Sequence, residues 1–301
     1  MHPIEMRSEY NGDTEELQRN REYSSSLGNS KEMPRGDGTL VIVAGGPSLK
    51  DSLEDVRGSW RVGDKILACN GAHKFLVSNG ITPWACMVVD KNEENWRFVA
   101  GSNPGTIYLI ASSCHPRVFV QFNGLDRDVR VWDMITNVEE IESDGNKVED
   151  GRILAAREGY DYISASGSTV AIHALMSGFN MGFRNFEIFG MDSCVAGDKH
   201  HAYPQKWNDG MDVWPEPVFV GARSFICEPW MILQAQDFQK IIRVLWPHIG
   251  LKVHGDGMIA AILDEGARVY EKWMNGMAPK EPDENFSRPG GRLDREGAGL
   301  V

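Results

Sequence analysis

The sequence predicts an α/β protein with a doubly wound, mostly parallel sheet and an inserted lid. Three observations lead there. Short apolar runs alternate with longer helix-compatible ones between residues 38 and 278. The apolar runs are nearly continuous, as expected of strands covered on both faces. Most of them end in Gly, Asn, Asp or Ser, the residues that turn a strand into a loop or a helix.

The first strand is expected at Leu40–Ala44, which Gly45-Gly46-Pro47-Ser48 breaks before a helix over Leu49–Val56. Further strands are expected at Ile66–Cys69, Trp84–Val89, Ile107–Ala111, Val129–Trp132, Phe186–Phe189 and Leu251–Val253. Helices fit Ala72–Ser78, Thr169–Met181, Pro229–Trp246 and Met258–Leu263. Within Thr169–Met181, Val170, Ala174, Leu175 and Met181 supply a buried stripe, while Ala171 and Gly178 permit close packing on the sheet. Glu228-Pro229 reads as a helix start with Pro in the first turn. Residues 193–227 break the alternation with a polar and aromatic segment too long for a turn, expected to be a lid. The acidic stretch Glu139–Asp150 is expected to be a solvated surface loop.

Polar composition marks residues 1–37 as a flexible N-terminal arm and 279–301 as a flexible C-terminal tail. The 38–278 domain has room for one large core. No apolar run approaches a membrane span, no signal-peptide core is evident at the start, and a cytoplasmic location is expected. The five cysteines are scattered without a Cys-x-x-Cys pair, so reduced buried thiols fit better than disulfides or zinc. A net charge of −12 argues against binding a nucleic-acid backbone but leaves a single nucleotide open, because one phosphate site is local.

In doubly wound sheets, ligands bind beyond the carboxyl ends of the strands. Gly45, Gly46, Pro47 and Ser48 form a strand-to-helix entrance, where backbone N–H groups and the helix dipole favour a phosphate or carboxylate. Ser166, Gly167 and Ser168 open a second helix in the same way. Two such entrances suit a diphosphate or an activated sugar. Asn70, Asp90 and Asp192 each follow a strand, and paired carboxylates at Asp90 and Asp192 would hold Mg2+ against phosphate oxygens. Otherwise each caps a neighbouring turn. His200 and His201 lie in the expected lid, and His201 suits a general base or a phosphate donor near neutrality. Lys50 and Arg223 are candidate phosphate partners, and His173 is expected to be a packed core histidine.

Several motifs occur in a recognisable order: Gly45-Gly46-Pro47-Ser48-Leu49, Asn70, Asp90 after Pro83–Val89, Ser166-Gly167-Ser168, Gly190-Met191-Asp192, and Gly197–Ala202. In this order the chain resembles the family that joins the Maf flagellin-glycosylation proteins to the hydroxymethyl-dihydropterin pyrophosphokinases. It is more distantly similar to the small bacterial sialyltransferases that use CMP-sialic acid. Those enzymes carry an Asn-type residue where this chain has Asp90, and a lid histidine serving as base ahead of the last long helix. Here Gly221–Pro229 contains no histidine, whereas His200 and His201 closely follow Asp192, as in the Maf and pterin-kinase branch. The resemblance implies a Rossmann-like nucleotide-binding domain and a transferase acting on a nucleotide donor and an acceptor. Glycosyl transfer from a nucleotide-sugar is the first expectation and ATP-dependent pyrophosphate transfer the second. A nucleotide-binding scaffold without catalysis is a third. Asn70 would read the nucleotide or ribose, Asp90 and Asp192 would manage metal or acceptor, and His201 would act as base.

Overall fold

The computed structural model describes residues 14–30, 32–134, 163–164, 167–197, 199–205 and 215–274. Ser166, Trp207, Trp214, the acidic stretch from Glu139 and the tail from 279 lie outside these. The strands are β1 (Thr39–Val43), β2 (Lys65–Cys69), β3 (Ala85–Val88), β4 (Ile107–Ala111), β5 (Val129–Met134), β6 (Ile163–Ser164), β7 (Asn185–Phe189), β8 (Glu216–Val220), β9 (Arg223–Cys227) and β10 (Gly250–Val253). Eight of them form one sheet in the order β10-β7-β1-β2-β3-β4-β5-β6, every neighbouring pair parallel. The fold is the expected Rossmann-like α/β sheet. Its extra strand is β6, two residues long.

The helices are α1 (Thr14–Ser26), α2 (Leu53–Val62), α3 (Ala72–Ser78), α4 (Trp96–Val99), α5 (Pro116–Val120), α6 (Val170–Asn180), α7 (Pro229–Leu245) and α8 (Met258–Met274). Val41, Val43, Ile66 and Ala68 point to one face, under Val56 of α2 and Ala72 and Leu76 of α3. Leu40, Ile42 and Leu67 point to the other, under Ala171, Ala174 and Leu175 of α6. Gly178 lets α6 approach: a Cβ there would lie 2.4 Å from Leu40 Cδ2 and 2.7 Å from Phe186. Strands buried on both faces explain why their sequences run apolar without alternation. No helix among the described residues is long and apolar enough to cross a membrane.

Two expectations need correction. Thr14–Ser26, assigned to the flexible arm, is a docked helix. Leu17, Asn20, Arg21 and Ser24 are all buried on one face, and the Asn20 amide donates to the Ser113 carbonyl at 2.9 Å. The i, i+3, i+4, i+7 spacing is helical, but three of the four residues are polar, so no hydrophobic period betrays it. Part of the expected lid is regular as well. β8 and β9 form an antiparallel hairpin, and Val195 bridges Ile226 of β9.

Candidate functional site at the carboxyl edge of the sheet

From β1 the chain winds outward to β2, and later returns to place β7 on the other side of β1. The carboxyl ends of β7, β1, β2 and β3 therefore surround the point where the winding reverses, where open α/β sheets form their ligand crevice.

At the end of β1 the glycine turn is tied inward. Gly46 N–H donates to the Gly190 carbonyl at 2.7 Å, and Ser48 N–H donates to Asp192 Oδ2 at 2.8 Å. Pro47 has no N–H to offer. A Cβ on Gly46 would lie 2.5 Å from both Asp192 Oδ2 and the Gly190 carbonyl oxygen, so the second glycine is required by packing against the β7 exit. The anion at this entrance is thus the protein's own carboxylate. Asp192 is 5% exposed and its backbone carbonyl also accepts from Met258 N–H of α8 at 2.8 Å. Burial raises its pKa above the ordinary carboxylate value; contacts from Ser48 oppose the shift, and the Asp256 charge adds to it. A Cβ on Gly257 would lie 2.5 Å from Asp192 Cα, so the turn before α8 also depends on glycine to approach this residue.

The second entrance repeats the arrangement. Ser168 N–H donates to Asp237 Oδ2 of α7 at 3.2 Å. Gly167 accepts a contact of 3.2 Å from His173 Nε2, and His173, as expected, is buried, its ring 5.6 Å from that of Trp132. The loop stands at the carboxyl edge because α6 runs back against the parallel strands.

The ends of β2 and β3 differ. Asn70 adopts φ +49°, a left-handed conformation uncommon outside glycine. Its Nδ2 donates to Asp90 Oδ2 across 3.4 Å. Asp90 is solvent-exposed, yet ringed by enough protein that desolvation raises its pKa above the usual range, the Asn70 bond opposing. Ser193, after Asp192, is the other non-glycine residue with positive φ among the described residues, and its Oγ donates to Gln234 at 3.0 Å.

Residues 199–205 roof the β1 and β2 ends. Ala202 N–H donates to the Gly45 carbonyl at 3.0 Å, and Tyr203 stacks on Phe75 at 5.3 Å. A Cβ on Gly45 would lie 2.6 Å from Tyr203 Oη, and one on Gly71 3.0 Å from it. Desolvation holds the Tyr203 phenol far above its ordinary pKa. The two histidines part company: His201 lies against Gly45, whereas His200 Nε2 pairs with Glu228 Oε1 at 3.1 Å. Glu228 is 4% exposed, caps α7 and also accepts from Trp230 Nε1.

Asp90 and Asp192 end strands three positions apart, about 14 Å at the usual interstrand spacing. Among the described residues no group of three or more His, Cys, Asp and Glu side chains is arranged around a metal position. The Asp90 carboxylate is of the oxygen type that a hard cation such as Mg2+ takes, while the Asn70 atom that faces it is the amide nitrogen. Lys50 is exposed, and Arg223 donates to the Asp256 carbonyl at 2.5 Å while lying over Phe225. Sequence reasoning missed Tyr203, Asp237 and α1. Gly255-Asp256-Gly257 was legible as a glycine turn before a helix, but Tyr203 and Asp237 carried no local signal.

Two polar atoms at this edge, Asn70 Oδ1 and Ser168 Oγ, are buried without a hydrogen-bond partner among the described residues. Buried polar atoms are rarely left so. The Ser48 hydroxyl, by contrast, is held against the Asp192 carboxylate. Both unpartnered atoms belong to segments that the sequence had singled out.

Residues 13–198 match the model of a family described as 6-hydroxymethylpterin diphosphokinase MptE-like. Among solved structures, the Maf glycosyltransferase from Magnetospirillum magneticum AMB-1 superposes with a TM-score of 0.55 at 16% identity, over 86% of this chain and 42% of its own. The chain thus spans under half of that protein's length, and the likeness is one of fold. An aldolase candidate from Coccidioides immitis overlaps at a TM-score of only 0.22 and 12% identity, over 91% of this chain and 88% of its own, which carries no argument. A search of curated protein sequences found no match. The family match covers more than half of the chain, over the same sheet and turns that build the crevice, and the chain belongs to the 6-hydroxymethylpterin diphosphokinase MptE-like family.

Proposed function

We propose that this protein is a nucleotide-dependent transferase that moves a glycosyl group from a nucleotide-activated sugar to a hydroxyl acceptor. The carrying observation is the pair of unpartnered buried atoms, Asn70 Oδ1 and Ser168 Oγ, at the sheet's carboxyl edge. Their positions fit a ligand with a polar backbone. Phosphate oxygens would accept from the Ser168 hydroxyl, with Gly45 and Gly46 keeping the turn open and Gly167 doing so at the second loop. Asn70 and Asp90 would face the nucleoside. His201, beside Gly45, would take the acceptor proton as the bond from sugar to phosphate breaks. Positioning and charge stabilisation would supply most of the rate.

The family match favours a second reading, pyrophosphate transfer from ATP. There Asp90 would hold Mg2+, which would neutralise charge on the transferred group. Ligand-induced stabilisation with CMP, UDP and ATP, each with and without Mg2+, separates the readings. A rise in Tm with CMP or UDP alone supports glycosyl transfer, and a rise only with ATP and Mg2+ supports pyrophosphate transfer. No rise with any of them would leave a scaffold.

A further inference from the structure

The large sheet ends on one side in β6, two residues long, and on the other in β10. Strand β10 keeps register with β7 from Gly250 against Asn185 to Val253 against Ile188. Gly250 N–H donates to the Arg184 carbonyl and His254 N–H to that of Ile188, each at 2.8 Å. In a parallel ladder alternate residues bond to the same neighbour, so Gly250, Lys252 and His254 face β7 with their backbone groups. Leu251 and Val253 therefore turn their N–H and C=O groups outward, and neither N–H has a partner among the described residues. Ile249 precedes them in the same extended conformation, at φ −135° and ψ 149°. Proteins usually guard such an edge with a proline, a bulge or an unpaired charge. Here residues 249–254 contain no proline, the register with β7 is unbroken, and Lys252 stands beside Glu187.

The open edge is complementary to itself. Two copies running antiparallel about a two-fold axis at Leu251 pair that residue with its own counterpart, and Ile249 with Val253. This register satisfies the outward groups with about six hydrogen bonds. It lines up Ile249, Leu251 and Val253 of both copies on one face. All three are half-buried and pack on the core, so the seam carries the core across the axis. On the opposite face each Lys252 meets the Gly250 of the other copy. An axis at Lys252 would instead oppose two lysines, an unfavourable cross-strand pair. A foreign strand would have to bring both the matched apolar face and a small residue opposite Lys252, which this chain already provides. A strand alone buries too little for a stable dimer, but its flanks are apolar as well. Val244 and Trp246, just before β10, are 69% and 45% exposed, and Val269, on the α8 helix packed beside it, is 54% exposed. We propose that β10 pairs with β10 of a second copy of this chain in the Leu251-centred register, joining two eight-stranded sheets into one closed, two-fold dimer.

The test is sedimentation equilibrium of the full chain over a range of concentrations, where the wild type is expected to have the mass of two chains. Leu251→Pro removes an outward N–H and no bond to β7, a position where edge strands tolerate proline. It should leave a folded monomer, checked by circular dichroism and Tm. Two variants at the exposed Gly250 keep the register testable should that one misfold. A Cβ there would lie 3.0 Å from Asn185 Oδ1, the movable end of a side chain. Gly250→Glu sets a carboxylate opposite Lys252 of the other copy and Gly250→Lys a like charge, and each pair occurs twice in the dimer. The dissociation constant should therefore be about 10-fold lower for Glu than for Lys, a gap that shrinks in high salt. Equal constants for these two variants overturn the register proposed. A wild type that stays monomeric at about 0.1 mM overturns the pairing itself and leaves the edge to a strand of another protein. A dimer untouched by Leu251→Pro and by both Gly250 variants is built on another surface, and overturns it too.

Discussion

The two helix entrances and the two bare strand ends occupy the same edge of the sheet, and they behave oppositely. At Ser48 and Ser168 the backbone donors that advertise an anion site are spent on Asp192 and Asp237. At Asn70 and Asp90 an acceptor is left over and a carboxylate is open to solvent. A glycine-rich turn before a helix thus reports that an anion belongs there, without saying whose. In this chain the first claimant is internal, and the capacity left for a ligand lies in the Ser168 hydroxyl and in the β2 and β3 ends. If the contrast is real, substitutions on the internal side should cost mainly stability, and those on the open side mainly binding.

The largest stability effect is expected at Asp192. Replacing it by Ala strands the half-buried Ser48 N–H and opens a hole among three turns, which should cost about 3 kcal/mol in chemical denaturation. Asp192→Asn keeps an acceptor and should cost about half as much. The sign with pH follows from the raised pKa. The folded state holds this proton more tightly than the unfolded chain, so the residue's contribution is greatest at low pH and declines as pH rises through the carboxylate range. The cost of Asp192→Asn should therefore shrink over that rise. A cost that grows with pH would mean that the ionised form is the favoured one. The comparison also predicts that inorganic phosphate stabilises Asp192→Ala more than the wild type, because the vacated entrance becomes an anion site. Equal responses would deny that Asp192 fills one.

Next in size is Gly46. A Cβ would meet the Gly190 carbonyl oxygen and the Asp192 carboxylate at 2.5 Å, both parts of a fixed turn, so Gly46→Ala should cost about 2 kcal/mol and Val more. Binding would be lost in the same variants, but as a consequence of a distorted turn. A Gly46→Ala protein of unchanged stability that fails to bind nucleotide would restore a direct role for this glycine. Tyr203→Phe is expected to cost about 1 kcal/mol, since the phenol loses its hydrogen bond with the Gln205 side chain while the ring keeps its stack on Phe75. Limited proteolysis around residues 199–205 should quicken in Tyr203→Ala. Unaltered cutting would show that the tyrosine does not hold this segment down.

How far the sequence reached depended on the range of the interaction. The strands were legible because Leu40–Val43 and its neighbours are apolar on both faces, a local property. Helix α8 was legible in its first turns and expected to stop at Leu263, but it continues to Met274 through the charged run from Asp264 on an amphipathic pattern. Helix α1 was hidden because it buries Asn20 and Ser24 where a helix would ordinarily bury Leu. Hairpin β8–β9 was masked by prolines in a segment that resembled a loop. At the site, the residue types and strand ends were readable, and their partners were not. Ser48 meets a carboxylate 144 positions away and Ser168 one 69 positions away, and nothing within either turn encodes that. Strand order likewise lies outside the local sequence, and it sets three strand positions between the ends that carry Asp90 and Asp192.

The smallest stability effect is expected at Asn70, where the contrast between the two sides is sharpest. Asn70→Gly removes a long hydrogen bond to Asp90 and an acceptor that has no partner, so little native interaction is lost. Glycine adopts φ +49° without strain, which offsets the greater freedom it gives the unfolded chain. The two terms are each about 0.5–1 kcal/mol and opposite in sign, so the midpoint of denaturation should hardly move. On the proposed nucleotide reading, affinity should nevertheless fall about tenfold, because the side chain assigned to face the nucleoside is gone. Asn70→Asp provides the control: it keeps two acceptors and tolerates the left-handed backbone, but sets a second charge beside Asp90. Its affinity loss should be partly recovered as pH falls and one of the two carboxyls takes up a proton. Should Asn70→Gly instead lose 2 kcal/mol or more, the amide would be a structural clasp. The β2 end would then belong with the internally satisfied turns, and the division of the edge into a closed and an open side would fail.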